Sequence, residues 1–195
     1  MMAYWGDLES NGGSVVFHSY VRGGKIRENQ IILDIAGNDG LSLSCNSVVN
    51  SAGLGSADFL LKLSGFPKVA IPQIYLCKGS YFSFSAKSPF EHLIYPLPNQ
   101  AGLGIHLTFD LEGRARFGPD VEWIKEVNYN VDEGRSDKFY KAVERYWPEL
   151  PKGSLRPDYA GIRPKTIRSE RVPQDFEIQG PGAHGVPGLV NLFAI

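Results

Sequence analysis

Two polar residues could act on a small molecule, because each lies in an apolar, strand-like stretch. His106 lies between Ile105 and Leu107, whose side chains point to the opposite face of a strand, and Gly104 leaves space beside it. An imidazole placed there can exchange a proton with a ligand or form a hydrogen bond to it. The same pattern is also typical of a hydrogen-bonded histidine in a core or at a sheet edge.

Arg163 is the second such residue, and it lies between the apolar stretch 159–162 and Pro164. A guanidinium held at the end of a strand suits a carboxylate as a bidentate partner. A structural salt bridge would satisfy the same arginine, so both interpretations stay open.

Three further side chains, Lys78, Tyr81 and Tyr95, could line the same sheet face as His106. Aromatic residues in strands are also ordinary core residues, so they do not by themselves require a functional explanation.

A small-residue turn follows the short apolar strand that ends at Asn50. A strand, a glycine turn and a helix place backbone N–H groups where they can face a phosphate or ribose. Gly53 and Gly55 supply a GxG spacing, but Asp58 stands where the third glycine of the dinucleotide fingerprint belongs. The turn is therefore either a plain tight turn or a cofactor contact.

Other catalytic classes lack support in the sequence. The four histidines, His18, His92, His106 and His184, are isolated, and Cys45 and Cys77 lack CxxC spacing, so no metal site is predicted. There is no GxSxG segment for a nucleophilic serine. Buried, reduced thiols in an intracellular, reducing compartment are expected.

Length and charge narrow the class of protein. The 195 residues carry a formal net charge of -1 with a sequence pI near 6.4, which argues against a nucleic-acid partner. No apolar run is long enough for a membrane span. The 22 glycines and 13 prolines lie among alternating apolar segments, which indicates a turn-rich β protein.

The elements that must position these residues are mostly short strands. An amphipathic helix is predicted at 1–10 and a later helix at 136–147. In the first part of the chain, strands are predicted at 14–19, 21–27, 30–36, 41–45 and 48–50. In the remainder, strands are predicted at 74–85, 93–98, 103–110, 115–117, 155–163, 175–179 and 188–195. The pattern predicts an α+β fold with antiparallel or mixed sheets.

Several segments, in order, resemble the FAD-dependent oxidoreductases of the D-amino-acid-oxidase-like superfamily, and most closely the L-2-hydroxyglutarate dehydrogenase/oxidase group. Each segment is weakly specific, whereas the ordered set is strong and covers nearly the whole chain. The segments are VVNSAGL at 48–54, KGSYF at 78–82, LIYPLP at 93–98, GLGIHLT at 102–108, FGPDVEW at 117–123, YAGIRPK at 159–165, DFEIQG at 175–180 and HGVPGLVNLF at 184–193.

The resemblance implies a partial Rossmann-like FAD-binding domain at residues 1–66, a substrate-binding β-sheet domain at 67–158, and strands at 159–195 that return to the FAD domain. It implies FAD contacts at Asn50, Ser51, Ala52, Gly53, Leu54, Gly161, His184, Gly185 and Gly188. It implies that Arg163 holds a substrate carboxylate, with Tyr81, Lys78, Tyr95 and His106 also in the substrate site. His106 or His184 would be the catalytic base or the hydrogen-bond partner of the substrate hydroxyl.

The resemblance also has departures. The GxGxxG turn of the family and its acidic ribose-binding residue are missing, and Ala194 stands where the family pattern has glycine. We therefore expect a fragment of a longer protein, inactive alone and with weak or no FAD binding, because the pyrophosphate site depends on that turn.

The implied activity is oxidation of a 2-hydroxy acid, L-2-hydroxyglutarate foremost, to the 2-oxo acid by hydride transfer to FAD. An amino-acid or amine oxidase of the same superfamily, or an inactive, truncated β-rich module, are the alternatives. The expected location is mitochondrial for a eukaryotic source and cytoplasmic for a bacterial one, and the electron acceptor stays open.

Overall fold

The structure is a computed structural model that describes residues 1–28, 30–36, 40–97, 104–169 and 175–195. Parts of two predicted strands and of two family-like segments, at Pro98 and at Gly102 and Leu103, lie outside the described residues. The chain divides into two compact units: one of Met1–Ile71 with Gln179–Asn191, and one of Pro72–Ile178 with Leu192–Ile195. The functional division at 66 and 158 stays a prediction.

The first unit is built around a four-stranded sheet with the order β3-β2-β1-β5. Its early elements are α1 (Met2–Ser10), β1 (Tyr20–Arg27), β2 (Gln30–Ala36), β3 (Leu41–Cys45), β4 (Val48–Asn50), α2 (Ser56–Leu61) and β5 (Leu63–Ser64). The predicted meander is present, since β1, β2 and β3 pair antiparallel. Apolar side chains on one face of this sheet and on α2 are buried, including Ile31, Leu33 and Leu60.

Two predictions for the start of the chain are wrong. Helix α1 buries none of its residues, so it is not amphipathic against this unit. The strand predicted at 14–19 does not form: His18 has a φ of 55°, outside the extended region, and Val16 and Phe17 are exposed.

In the second unit, one sheet supports a helix. Its elements are β6 (Tyr75–Phe84), β7 (His106–Phe109), β8 (Ala115–Gly118), β9 (Glu122–Ile124), α3 (Ser136–Val143) and β10 (Leu155–Lys165). The strand order is β10-β6-β8-β7, and β9 also pairs with β6. Every pairing in this sheet is antiparallel. Of the predicted strand 93–98, the described residues 93–97 contribute an isolated bridge from Ile94 to Leu107.

Helix α3 packs on one face of that sheet and forms the core of the second unit. Phe139 lies with its ring centroid 4.5 Å from that of Phe82, and both residues are fully buried with Phe117 and Leu107. The helix ends at Val143, earlier than the predicted residue 147. The amides of Tyr146 and Trp147 both donate to the Val143 carbonyl, which tightens the chain into a turn before Pro148.

The chain closes with β11 (Glu177–Gln179), α4 (Pro181–His184) and β12 (Leu189–Phe193). A three-stranded sheet has the order β11-β12-β4, and β12 runs parallel to β4 through Leu189, Val190 and Asn191. The carboxyl end of β4, at Asn50, therefore lies beside Asn191 in the middle of β12. Helix α4 lies between β11 and β12, where no helix was predicted.

Cys45 and Cys77 are both reduced and partly buried. Across the described ranges, no group of three or more His, Cys, Asp or Glu side chains is placed to hold a metal ion. No helix in that part of the chain has both the length and the apolar character that crossing a membrane requires.

Candidate functional site

In the sheet of the second unit, α3 covers one face, and among the described residues of that unit no helix covers the other. Along β6, Lys78, Ser80, Phe82 and Phe84 are buried, and the residues between them point the other way. Tyr81 therefore lies on the second face, which we call the open face.

The register places His106 on the same face. Phe82 pairs with Phe117, and Phe117 pairs with Leu107, so these three point into the core. His106, next to Leu107, points to the open face together with Tyr81. Arg163 pairs with Cys77 of β6, an odd-numbered position, and its exposed side chain lies on the open face as well.

Two stacked ring pairs cover part of the open face. The rings of Tyr81 and Tyr159 are nearly parallel, at 8° and 4.5 Å between centroids. Tyr95 stacks on His106 at 18° and 4.4 Å. The structure thus brings together four of the predicted substrate-site residues, Tyr81, Tyr95, His106 and Arg163, and adds Tyr159.

Arg163 acts electrostatically on both ring pairs. Burial lowers the pKa of His106 below 6.5, and the Arg163 charge lowers it further, against an opposing hydrogen bond to the Gly104 backbone. Burial, followed by the neighbouring Tyr159 phenol, raises the pKa of Tyr81, while the Arg163 charge acts in the opposite direction. At neutral pH the face therefore presents a neutral imidazole, a protonated phenol and a cationic guanidinium.

Lys78 lies on the other face of β6, so the structure does not bring it together with Tyr81. Its side chain is buried, and its Nζ donates a hydrogen bond to the Asn130 carbonyl. This contact satisfies the ammonium inside the second unit and leaves Lys78 out of the open face.

A β-bulge positions Tyr159, which the sequence did not single out. Pro157 pairs with Phe82 and Ala160 with Ser80, so Asp158 and Tyr159 together stand opposite Tyr81. The extra residue turns the Tyr159 ring onto the Tyr81 ring. Only the register of two strands distant in sequence shows this, and no motif in the chain signals it.

Arg116 is a second residue that sequence reasoning missed. Its guanidinium carbon lies 5.4 Å from the Tyr159 ring centroid, a cation–π geometry. Its Nε is 2.5 Å from Asp158 Oδ2, and its Nη2 is 3.4 Å from Asp110 Oδ2. Two carboxylates therefore compensate the charge of Arg116, whereas Arg163 has no such ion pair among the described residues.

Asp120 supports the strand that carries Tyr81. Its fully buried carboxylate accepts a hydrogen bond from the Ser80 amide at 2.9 Å and one from Arg135 Nε at 2.9 Å. Lys138 Nζ lies 3.7 Å away. These contacts fix β6 next to the segment that follows β8.

Two glycines of this sheet have opposite surroundings. A Cβ on Gly118, whose φ is +146°, would lie 2.7 Å from the Ser80 carbonyl oxygen and 2.7 Å from the Tyr81 ring. A Cβ on Gly161 would meet nothing within 4 Å. Gly118 therefore lets the Tyr81 ring lie close to the backbone, while the space over Gly161 is open to a ligand.

We expect Gly118→Ala to lower the free energy of unfolding by about 1–3 kcal/mol, because the methyl group would clash with backbone and strain φ. Gly161→Ala, the matched control, should change it by less than about 0.5 kcal/mol. Urea unfolding followed by tryptophan fluorescence measures both. Equal losses in the two variants would contradict this account of the two glycines.

In the first unit, Asn50 organises the turn that was predicted to contact FAD. Its Nδ2 donates to the Ser56 carbonyl and to Asn191 Oδ1, both at 3.0 Å, and its Oδ1 accepts from the Ala52 amide at 3.4 Å. Because Asn50 is itself buried, the groups left to face a ligand belong to Ser51, Ala52, Gly53 and Leu54, which are exposed or half-buried.

His184 and the glycines after it form the other predicted FAD contact. His184 Nδ1 accepts a hydrogen bond from the Val186 amide at 3.2 Å, so its Nε2 carries the proton of the neutral ring. Gly185 has a φ of +75° and open space around it. Gly188 also has a φ of +75°, and a Cβ there would lie 2.4 Å from the Asn46 carbonyl oxygen, so both its backbone conformation and its packing require glycine.

Three buried polar atoms of this unit make no hydrogen bond within the described residues: Ser56 Oγ, His184 Nε2 and Asn191 Nδ2. Buried donors of this kind are rarely left alone in proteins. Ser56 follows the turn after β4, and Asn191 lies beside the carboxyl end of β4, the edge at which sheets of this class bind ligands, whereas His184 lies in α4 before β12. The residues present therefore fit a large polar cofactor such as FAD.

Comparison with known protein families identifies the family to which this chain belongs. The model of the FAD dependent oxidoreductase family, DAO, matches residues 1–195. The chain belongs to this family. The predicted recognition, the flavoprotein oxidoreductase class and the FAD cofactor of that class are confirmed.

Two curated relatives of this DAO-family chain are L-2-hydroxyglutarate dehydrogenases. The mitochondrial protein of Arabidopsis thaliana is 40% identical over 97% of this chain and 44% of its own length. The protein of Escherichia coli K12 is 30% identical over 82% of this chain and 46% of its own length. The chain thus spans about half the length of the curated relatives it matches.

A solved structure agrees with the fold of this DAO-family chain. L-alpha-glycerophosphate oxidase from Mycoplasma pneumoniae, with FAD bound, superposes with a TM-score of 0.75 at 17% identity, covering 95% of this chain and 47% of the oxidase. The predicted α+β fold class, with its mixed and antiparallel sheets, is confirmed.

Proposed function

We propose that this chain contributes the substrate-binding face and part of the FAD-binding region of an enzyme that oxidises L-2-hydroxyglutarate to 2-oxoglutarate. The observation that carries the proposal is the exposed Arg163 guanidinium beside a neutral His106 on the open face. Identity to two L-2-hydroxyglutarate dehydrogenases supports the choice of substrate.

Arg163 binds the carboxylate next to the reacting carbon. Its fork of N–H donors matches two carboxylate oxygens, and no carboxylate of the described residues competes for it. Tyr95, stacked on His106, limits the rotation of the imidazole and shields one side of it from water.

His106 accepts the hydroxyl proton. Its lowered pKa keeps the imidazole neutral at pH 7, so a lone pair is free to take the proton as the C2–H bond breaks. FAD, when bound, supplies the acceptor for the hydride that leaves C2. His184 is the less suitable base, because its Nδ1 already accepts from Val186 and its Nε2 can only donate.

In the first unit, the FAD-binding residues of the proposal are the turn 51–54, set by Asn50, and His184, Gly185 and Gly188. In the second unit, the FAD-binding residue of the proposal is Gly161. His184 Nε2–H is a donor for a polar atom of the cofactor. Gly161 leaves room for a flat ring near the backbone.

For a eukaryotic source a mitochondrial location is proposed, supported by the mitochondrial plant relative, and for a bacterial source a cytoplasmic one.

The test is a chimera in which residues 1–195 replace the matching segment of the Arabidopsis relative. The purified chimera should carry flavin absorbance, and anaerobic L-2-hydroxyglutarate should bleach it. Glycine and L-proline serve as amine substrates in the same assay. Bleaching by an amine and not by L-2-hydroxyglutarate would contradict the proposed substrate, and a flavin-loaded chimera that no substrate bleaches would contradict the activity.

A further inference from the structure

The bulge in β10 brings Asp158 and Tyr159 onto the open face. The proposed oxidation of the substrate hydroxyl does not require either residue. Tyr159 lies parallel to Tyr81, and Asp158 holds Arg116 against Tyr159. Arg116 and Tyr81 therefore both lie against the Tyr159 ring, and we call these three side chains the stack. Tyr159 is 46% exposed, so the stack also borders solvent.

Arg163 interacts electrostatically with the stack. The Arg163 charge acts on the Tyr81 phenol as well as on His106, so the guanidinium is near both. A substrate carboxylate on Arg163 would therefore leave the rest of the molecule next to the imidazole and the two phenols. For a hydroxy acid with one carboxylate, the phenols would have no charged partner.

We propose that the hydroxyls of Tyr81 and Tyr159 bind the second, distal carboxylate of the substrate, and that Arg116 is a positioning residue for Tyr159. This inference rests on the proposed function and adds the group that selects dicarboxylic over monocarboxylic 2-hydroxy acids. Hydrogen bonds from neutral hydroxyls to a carboxylate are charge-assisted and short.

The charges around the stack favour a carboxylate site at the two phenols and a positioning role for Arg116. Asp158 and Asp110 compensate the Arg116 charge, so Arg116 is not a free anion site. Its guanidinium lies over the Tyr159 ring, and this contact favours the ring orientation that stacks parallel to Tyr81. The raised pKa of Tyr81 keeps its hydroxyl protonated, as a donor must be.

The experiment compares L-2-hydroxyglutarate with L-2-hydroxyvalerate, the five-carbon acid without the distal carboxylate, in the flavin-loaded chimera. Tyr81→Phe and Tyr159→Phe should each lower kcat/KM for L-2-hydroxyglutarate about 10-fold or more, through KM, as expected for a lost charge-assisted hydrogen bond. Their kcat/KM for L-2-hydroxyvalerate should stay within about twofold. Tyr129→Phe, an exposed phenol of the same unit, is the matched control and should change neither.

Arg116 has its own pair of variants. Arg116→Met should give a smaller loss, confined to the dicarboxylate, and Arg116→Lys should restore part of it because a cation again covers the Tyr159 ring. A loss that is equal for both acids, or no loss in either phenylalanine variant, overturns the proposal.

A second measurement does not need flavin. Glutarate is titrated into the 195-residue chain with 13C-labelled tyrosine, and butyrate is the monocarboxylate control. Saturable shifts of the Tyr81 and Tyr159 ring signals with glutarate alone support the distal carboxylate site, and their absence overturns it. If these shifts occur while hydroxy acids fail to bleach the chimera, the proposed oxidation is wrong and the dicarboxylate site stands.

Discussion

Replacing Arg163 with glutamine is expected to lower kcat/KM for L-2-hydroxyglutarate by about 100-fold in the flavin-loaded chimera. Glutamine keeps a polar side chain but loses the charge and the bidentate fork, a change worth about 3 kcal/mol for a carboxylate partner. Since the carboxylate is bound equally in the ground and transition states, most of the loss should appear in KM.

The control for this variant is Arg145→Gln. Arg145 is an exposed arginine just after α3, which packs on the opposite face of the sheet. Its substitution should leave KM and kcat within about twofold. An unchanged KM in Arg163→Gln would remove the carboxylate role from Arg163 and leave it a surface arginine.

Replacing Asp120 with alanine is expected to cause the largest loss of stability, about 3–5 kcal/mol. The change leaves the buried Ser80 amide and the Arg135 guanidinium without their shared acceptor, and breaking an ion pair whose carboxylate is fully buried is expensive. The second unit should therefore unfold at clearly lower urea concentration, which the fluorescence of Trp147 in its core would follow.

Glu122→Ala is the matched control for Asp120. Glu122 faces the same Arg135 guanidinium at 3.6 Å, but its carboxylate is partly exposed. Exposed ion pairs contribute about 0–1 kcal/mol, so this variant should unfold close to the unchanged chain. Similar losses in the two variants would mean that burial of Asp120 does not matter.

Alternation along strands predicts much of the second unit. Apolar neighbours at Ile105 and Leu107 place His106 on the opposite face, and the register confirms this placement. The same rule argues against Lys78 as a partner of Tyr81, because residues three apart in a strand point to opposite faces. Alternation alone therefore places Lys78 and Tyr81 on opposite faces, whereas the resemblance of the segment 78–82 implied that both belong to the substrate site.

Other features depend on contacts between distant segments and have no local signal. The bulge that turns Tyr159 onto Tyr81 follows from the pairing of β10 with β6, about 80 residues apart in register. The absence of strand structure at 14–19 follows from a lack of pairing, since its β-branched residues favour a strand.

The departure at Ala194 has a physical basis. Ala194 has a φ of 59°, in the left-handed region that glycine adopts most easily, and the resemblance led us to expect a glycine at this position. The sequence pattern thus located a special backbone conformation, although it could not give the dihedral angle itself.

The most direct test of the open face as a carboxylate site is the pKa of His106, measured by NMR in the 195-residue chain with and without L-2-hydroxyglutarate. The Arg163 charge now lowers this pKa, so a carboxylate that neutralises it should raise the pKa on binding. In Arg163→Gln the pKa should start higher and respond little to the ligand. A His106 pKa that saturating ligand leaves unchanged in the unmodified chain would contradict the account.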